Sequence, residues 1–111
     1  MSYPLRGEVW LVDLGLAAKV RPAVVISARI GNADRAIITI VPRTTSTRGT
    51  DYEAAVDVPF LKPGAFDAQG LVTIPVSRAI RRLGTLQAKQ LAPVEAAVCR
   101  WLQLPCSPAA T

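Results

Sequence analysis

Two short segments of the sequence combine positive charge with hydroxyl groups. The first is Lys19-Val20-Arg21-Pro22, and the second, residues 43–48, has the sequence Arg-Thr-Thr-Ser-Thr-Arg. Guanidinium and hydroxyl groups donate hydrogen bonds to phosphate oxygens, and a preorganised set of donors stabilises the extra charge of a pentavalent phosphorus transition state. These residue types therefore indicate chemistry on a phosphodiester. Because an arginine before a strand or a threonine-rich turn is more often structural or solvated, the spacing alone leaves both interpretations open.

The composition excludes several other kinds of site. The chain has no histidine, so the usual general acid–base pair of ribonucleases and the Ser/His/Asp and Cys/His triads are impossible. It has no GxxxxGK[ST] or GxGxxG loop, and its acidic residues are scattered singly rather than clustered as in a two-metal nuclease. Cys99 and Cys106 lack further ligands for a zinc site. We therefore expect no metal and no cofactor, with both thiols reduced and Cys106 in a loose tail.

The charge balance favours an anionic partner. Thirteen Lys and Arg against eight Asp and Glu give a net charge of +5, and ten of the basic residues are arginines. Guanidinium binds phosphate in a bidentate manner and stacks on bases, so this surplus suggests nucleic acid. A basic surface without any ligand remains an equally open alternative on charge alone.

Three strand-like segments position the two basic segments. Residues 8–14, 23–27 and 36–41 are rich in β-branched and other apolar residues and are bounded by turn residues. If the second and third strands pair in antiparallel orientation, the start of one lies beside the end of the other. Arg21 and Thr44 would then meet at one end of the sheet.

The rest of the chain completes a small β fold. We expect further strands at residues 52–58, 70–74 and 83–86, a helical turn at residues 77–82 capped by Ser77, and an amphipathic helix over residues 88–104. Short strands followed by one helix predict a mainly β fold, an SH3-like barrel of about five to seven short strands with a C-terminal helix. The predicted organisation is one domain, residues 1–104, followed by a flexible tail, residues 105–111.

Nothing in the sequence suggests a membrane or secretory location. The longest apolar runs, such as residues 36–42, are much shorter than the roughly 20 residues of a membrane span, and the N-terminus has no signal-peptide pattern. We therefore expect a cytoplasmic protein.

Four segments, in this order, resemble the MazF/PemK toxin family. They are Arg-Gly-Glu-Val-Trp-Leu-Val-Asp-Leu at residues 6–14, Arg-Pro-Ala-Val-Val-Ile-Ser at residues 21–27, Val-Pro-Arg-Thr-Thr-Ser at residues 41–46, and Arg-Leu-Gly-Thr-Leu at residues 82–86. The resemblance covers nearly the whole chain, from residue 6 to residue 104.

The resemblance implies a homodimeric toxin of a type II toxin–antitoxin system, a metal-independent endoribonuclease that cleaves single-stranded mRNA at short sequences and so inhibits translation. It implies attack by the 2′-hydroxyl, a cyclic phosphate product, and a MazE-like antitoxin whose acidic, disordered segment covers the basic groove. The family's catalytic arginine and threonine correspond to Arg21 and Thr44. We expect the neighbouring polar residues to bind RNA: Lys19, Arg43, Thr45, Ser46 and Arg48.

The chain departs from the family pattern in two places. The loop of residues 15–20 is short and lacks the acidic residue that many members carry, so no loop carboxylate is assigned a catalytic role. Residues 74–79 lack the common Asp-Gln-Ile/Leu-Arg pattern, so base recognition is expected to differ. Two alternatives stay open: a CcdB-like toxin that binds gyrase and cleaves nothing, and a non-catalytic SH3-like RNA-binding module.

Overall fold

The computed structural model describes residues 3–15 and 19–106. The strands are β1 (Glu8–Asp13), β2 (Val20–Val25), β3 (Ile37–Thr44), β4 (Glu53–Ala54), β5 (Ala65–Asp67), β6 (Val72–Pro75) and β7 (Ala79–Thr85), and they are followed by the helix α1 (Ala88–Leu102). Short 3₁₀ turns at Ala68–Gly70 and Val76–Arg78 flank β6. The expected mainly β fold with a C-terminal helix is confirmed.

All strand pairs are antiparallel, and β3 is the strand on which the others assemble. The sheet order is β4-β5-β3-β2-β1-β7, and β6 pairs with the first half of β3 while β5 pairs with its end. β3 is longer than any other strand of the described chain, and its length allows it to pair with β6 and β2 and, at its end, with β5.

Alternation along the strands divides the apolar residues between two clusters. Val9, Val24 and Val41 are register partners across β1, β2 and β3, and they belong to the cluster that α1 covers. The residues one step along, such as Ala23 and Ile40, belong to the second cluster, which also contains Ile74 from β6. Successive side chains of a strand point to opposite faces, so β1, β2 and β3 each contribute to both clusters.

The strands that carry the site are longer than their apolar runs suggested. β2 begins at Val20 and therefore includes Arg21 and Pro22, and β3 continues through Pro42 to Thr44. Thus Arg21 and Thr44 lie within the sheet at strand ends and not in separate loops, as backbone pairing extends past the apolar residues.

In the second half of the chain, one sequence prediction is wrong and one strand was not predicted. Residues 77–82 were expected to form a helical turn capped by Ser77, but only Val76–Arg78 is 3₁₀, no side chain caps it, and β7 begins at Ala79. β5 was not anticipated, because a strand of three residues between a Pro-Gly pair and a 3₁₀ turn is too short to show alternation. Its pairing with β3 and β4 is what creates it.

The helix α1 begins at Ala88, and its N-cap residue is Gln87, whose backbone amide donates to Gln90 Oε1 at 2.8 Å. Pro93 lies inside the helix, in the second turn. After α1, the structure joins Cys99 and Cys106 by a disulfide, so the expectation of reduced thiols with Cys106 in a loose tail is wrong for this structure. Residues 107–111 of the predicted tail lie outside the described residues.

In the described part of the chain, no helix is long and apolar enough to cross a membrane.

Candidate active site

The pairing of β2 with β3 brings the two candidate catalytic residues to one place. Ala23 pairs with Pro42, and continuing that register by two residues puts Arg21 opposite Thr44. Because alternate residues share a face, both extend the face that carries the second apolar cluster. The two side chains line the same cleft of about 650 Å³. The sequence inference that antiparallel pairing would bring Arg21 and Thr44 together is therefore supported by the geometry.

The cleft has a mixed lining with an excess of positive charge. Leu14, Val72 and Ile74 provide apolar surface. Its charged residues in the described part of the chain are four arginines and two acids: Arg21, Arg43, Arg48, Arg78, Glu53 and Asp67. An anionic ligand is therefore favoured electrostatically in this cleft.

Thr44 has a hydroxyl oriented by its own loop. The backbone amide of Ser46 donates to Thr44 Oγ1 at 3.1 Å. Because the oxygen acts as acceptor in this bond, the hydroxyl proton is available for donation to another acceptor. Ser46 lines the same cleft, as does Arg48 farther along the loop.

Glu53 fixes the loop that follows Thr44. Its Oε1 accepts hydrogen bonds from the backbone amides of Arg48 at 2.9 Å and Gly49 at 2.8 Å, and its Oε2 lies 3.1 Å from the Arg48 amide. Hydrogen bonds to an ionised carboxylate are stronger than neutral ones. The carboxylate therefore orders residues 45–49 beside the cleft.

Arg43 does not have the exposed position expected of an RNA-binding residue. It is 5% exposed, and its Nη1 and Nη2 donate to the carbonyl oxygens of Val56 at 2.9 Å and Lys62 at 3.2 Å. Its guanidinium also lies 4.9 Å from the centroid of the Phe66 ring. Burial lowers the pKa of Arg43, and the charge of Asp57 partly offsets this effect. Arg43 is one step from Thr44 on β3 and therefore lies on the opposite, core-facing side with Val41, which explains its burial.

The other candidate RNA-binding residues are not all in this cleft. Arg48 and Ser46 line it, whereas Lys19 and Thr45 are not among its lining residues. Lys19 is exposed, with a positive φ of 59°, and its backbone closes the first loop through hydrogen bonds with Leu14 and Gly15. Thr45 lines a neighbouring cleft that also contains Arg21.

Sequence reasoning missed four polar residues of the cleft: Glu53, Asp67, Gln69 and Arg78. They come from β4, β5 and the two 3₁₀ turns, so they are distant from the two basic segments in sequence. Carboxylates scattered singly along a sequence carry no signal that they will meet in the fold. Within the described residues, no group of three or more His, Cys, Asp or Glu side chains could hold a metal ion.

Other residues of the four sequence motifs stabilise the fold outside the cleft. Glu8 accepts hydrogen bonds from the Leu5 amide, the Trp10 indole and Arg82, and forms an ion pair with Arg82 at 3.0 Å. Burial raises the pKa of Glu8, but these hydrogen bonds and the charge of Arg82 together outweigh it and leave the pKa lowered. The first and last motifs are thus joined across β1 and β7.

The chain matches a known family over most of its length. The sequence model described as PemK-like, MazF-like toxin of type II toxin–antitoxin systems matches residues 5–102. The chain belongs to this family.

Solved structures of similar proteins have the same fold. An endoribonuclease from a mycobacterial species is 24% identical, with a TM-score of 0.80 over 96% of this chain and 98% of that one. An endoribonuclease in complex with its cognate antitoxin, also mycobacterial, is 25% identical, with a TM-score of 0.80 over 94% and 99%. The Mycobacterium tuberculosis toxin MazF-mt6 is 27% identical, with a TM-score of 0.77 over 89% and 99%. The MazF-like form of the SH3-like barrel is therefore confirmed.

Proposed function

We propose that this MazF/PemK-family toxin is an endoribonuclease that cleaves single-stranded RNA in the cleft that Arg21 of β2 and Thr44 of β3 line. The observation that carries the proposal is that Arg21 and Thr44, on different strands, line one positively charged cleft. The similar structures named as endoribonucleases support the same activity.

The residues of the cleft fit a transesterification. The ribose 2′-oxygen bonds to the adjacent phosphorus while the bond from phosphorus to the 5′-oxygen breaks. The 2′-hydroxyl loses a proton and the 5′-oxygen gains one, so the products are a 2′,3′-cyclic phosphate and a free 5′-hydroxyl. Arg21 stabilises the negative charge that develops on the phosphorane oxygens, and the Thr44 hydroxyl donates to one of them. Arg21 is assigned no role as the base, since a guanidinium group offers hydrogen-bond donors and no acceptor.

Substitution of the two residues tests the proposal. Arg21→Ala and Thr44→Ala should each reduce single-turnover cleavage of a long RNA by about 10²–10³, the usual effect of removing one donor to a developing anion. Arg21→Lys should restore little, because an ammonium keeps the charge but loses the planar fork. EDTA in every reaction tests the expected metal independence.

Arg35→Ala is the matched control, because Arg35 is exposed, carries the same charge and does not line the cleft. Circular dichroism verifies folding of each variant. A folded Arg21→Ala protein that cleaves at the wild-type rate would refute the assignment. A wild type that cleaves none of several RNAs would favour gyrase binding or RNA binding without cleavage.

We also propose that an acidic antitoxin segment covers the same cleft. The family belongs to toxin–antitoxin systems, one similar structure contains its cognate antitoxin, and the cleft has more cationic than anionic side chains. RNA and an acidic antitoxin peptide should compete, and RNA affinity should fall with salt by a log–log slope of about −0.7 per phosphate contact. Simultaneous binding of both without loss of affinity would contradict a shared cleft.

We further propose a homodimer. Ile80 on the edge strand β7 is 54% exposed, and Val20 and Val72 are also exposed apolar residues on strands. Burial of such surface favours association. Light scattering at micromolar concentration should give twice 11.8 kDa, and a monomer at every concentration would contradict the proposal.

A further inference from the structure

A second cleft, of about 400 Å³, adjoins the candidate active site. Its walls include the apolar side chains of Leu11 and Leu83 and the ring of Phe60. Its charged residues in the described part of the chain are all basic, in contrast to the first cleft, which contains two acids. It therefore offers apolar and aromatic surface within a positive field.

The aromatic ring of Phe60 is both exposed and fixed. Its side chain is 41% exposed. A Cβ built on Gly84 would lie 2.5 Å from Phe60 Cζ and 2.6 Å from Cε1, so the tip of the ring rests against the Gly84 backbone. Gly84 belongs to the late Arg-Leu-Gly-Thr-Leu motif, and this contact gives a physical reason for glycine there. An exposed ring fixed in this way can act as a stacking platform.

The buried Arg43 holds the segment that carries Phe60. Its guanidinium donates to the carbonyl of Val56 on one side of Phe60 and to that of Lys62 on the other. The Leu61 amide also donates to the Val58 carbonyl at 3.0 Å, which closes a turn around the phenylalanine. The platform therefore depends on contacts that are independent of any ligand.

Two exposed cationic side chains line the second cleft, and the cleft shares Arg21 with the candidate active site. Lys62 and Arg81 line the second cleft and are exposed. Arg21 lines both clefts. A chain whose phosphodiester lies at Arg21 could thus extend into the second cleft, where a base meets an aromatic face and its phosphate meets cationic side chains.

We propose that the second cleft binds a nucleotide that flanks the cleaved phosphodiester of single-stranded RNA. Its base stacks on Phe60, and its phosphate interacts with Lys62 and Arg81. This inference rests on the proposed function, since it places the cleaved bond at Arg21. Aromatic stacking combined with a basic groove is the physical basis of single-strand binding that tolerates different base sequences.

The test measures binding of mixed-sequence, fluorescein-labelled 2′-deoxy oligonucleotides, which cannot be cleaved by 2′-hydroxyl attack. One is short and spans little more than a single phosphodiester, and the other is extended on both sides. Phe60→Leu should weaken binding of the extended oligonucleotide by about 5- to 150-fold, the range for loss of one stacked base, and should affect the short one much less. Phe60→Tyr should preserve affinity because the ring remains.

Further variants test whether a loss of affinity arises in the second cleft or from a general change of the protein surface. Arg81→Gln and Lys62→Gln should each reduce the salt slope by about 0.7, one phosphate contact each. Trp101→Leu removes a side chain that is also 41% exposed but lies on α1, and it should leave affinity unchanged. Gly84→Ala, which displaces the ring tip, should act in the same direction as Phe60→Leu.

The outcomes distinguish the flanking-nucleotide proposal from the proposed function. If wild type cleaves RNA but Phe60→Leu binds both oligonucleotides like wild type, the flanking site is refuted while the nuclease stands. If wild type cleaves no RNA but Phe60→Leu selectively weakens the extended oligonucleotide, single-strand binding in this cleft is supported and the nuclease is refuted. If Phe60→Leu dissociates the protein into smaller species and weakens both oligonucleotides equally, the cleft belongs to a subunit contact and the proposal is refuted.

Discussion

Gly64 packs against the backbone of Thr44, so a methyl group added at Gly64 should disturb the candidate active site directly. A Cβ added at Gly64 would lie 2.2 Å from the carbonyl oxygen of Thr44 and 3.1 Å from its carbonyl carbon, whereas ordinary contact begins at 3.4 Å. The oxygen and the methyl group must therefore separate by about an ångström. Because the obstructing atoms are backbone and not the end of a flexible side chain, Gly64→Ala should shift β3 where it pairs with β5.

Two effects should follow from Gly64→Ala. Overpacking of this kind costs about 1–3 kcal/mol, which corresponds to a decrease in Tm of about 4–12 °C for a domain of this size. A displacement near an ångström at a reacting group can cost about 10²-fold in rate. Thermal denaturation by circular dichroism and single-turnover RNA cleavage, at a temperature where the variant is folded, measure the two effects.

The control for this prediction is Gly31→Ala. There the added Cβ would lie 3.2 Å from Asp34 Oδ2, in an exposed loop where the side chain can move away. We expect its Tm and cleavage rate to stay near those of the wild type. Equal Tm and equal cleavage in the Gly64 and Gly31 variants would refute the view that the tight backbone contact positions Thr44.

Three further substitutions test the supporting contacts. Glu8→Gln should lower the Tm at neutral pH. The difference should vanish as the pH falls below 4.5, the ordinary pKa of a glutamate, and through the lowered pKa of Glu8, since that carboxylate contributes this stability only while ionised; a difference independent of pH would contradict this. Arg43→Lys should lower the free energy of unfolding by about 1–3 kcal/mol, as chemical denaturation measures, because one ammonium replaces two donors to buried carbonyls. Unchanged stability combined with weaker RNA binding would instead support an RNA-binding role of Arg43. Glu53→Gln should accelerate hydrogen exchange at the amides of Arg48 and Gly49 and lower the cleavage rate roughly 10-fold, equivalent to about 1.4 kcal/mol. Exchange and cleavage at wild-type rates would exclude a positioning role for Glu53.

The sequence predicted the parts of the site that are local. Arg21 and Thr44 could be selected because each lies beside a proline at the boundary of a strong apolar strand, and the antiparallel rule then suggested that they meet. Strand ends were less predictable, because hydrogen-bonded pairing extends beyond the apolar run into polar residues. The helical turn expected over residues 77–82 failed for a related reason, since pairing with β1 imposes strand geometry on a segment without strong alternation.

By itself, the sequence determined a single small β fold with a terminal helix, a positive charge surplus and a site without histidine. Those properties depend on composition and on periodicity between near neighbours. Only the tertiary structure decided that Arg43 is buried while Thr44 faces the cleft, that Glu53 and Asp67 join the arginines, and that Phe60 rests on Gly84. These three features depend on which face of β3 a residue occupies or on contacts between residues far apart in the chain. Strand pairing and side-chain packing determine the face and the contacts.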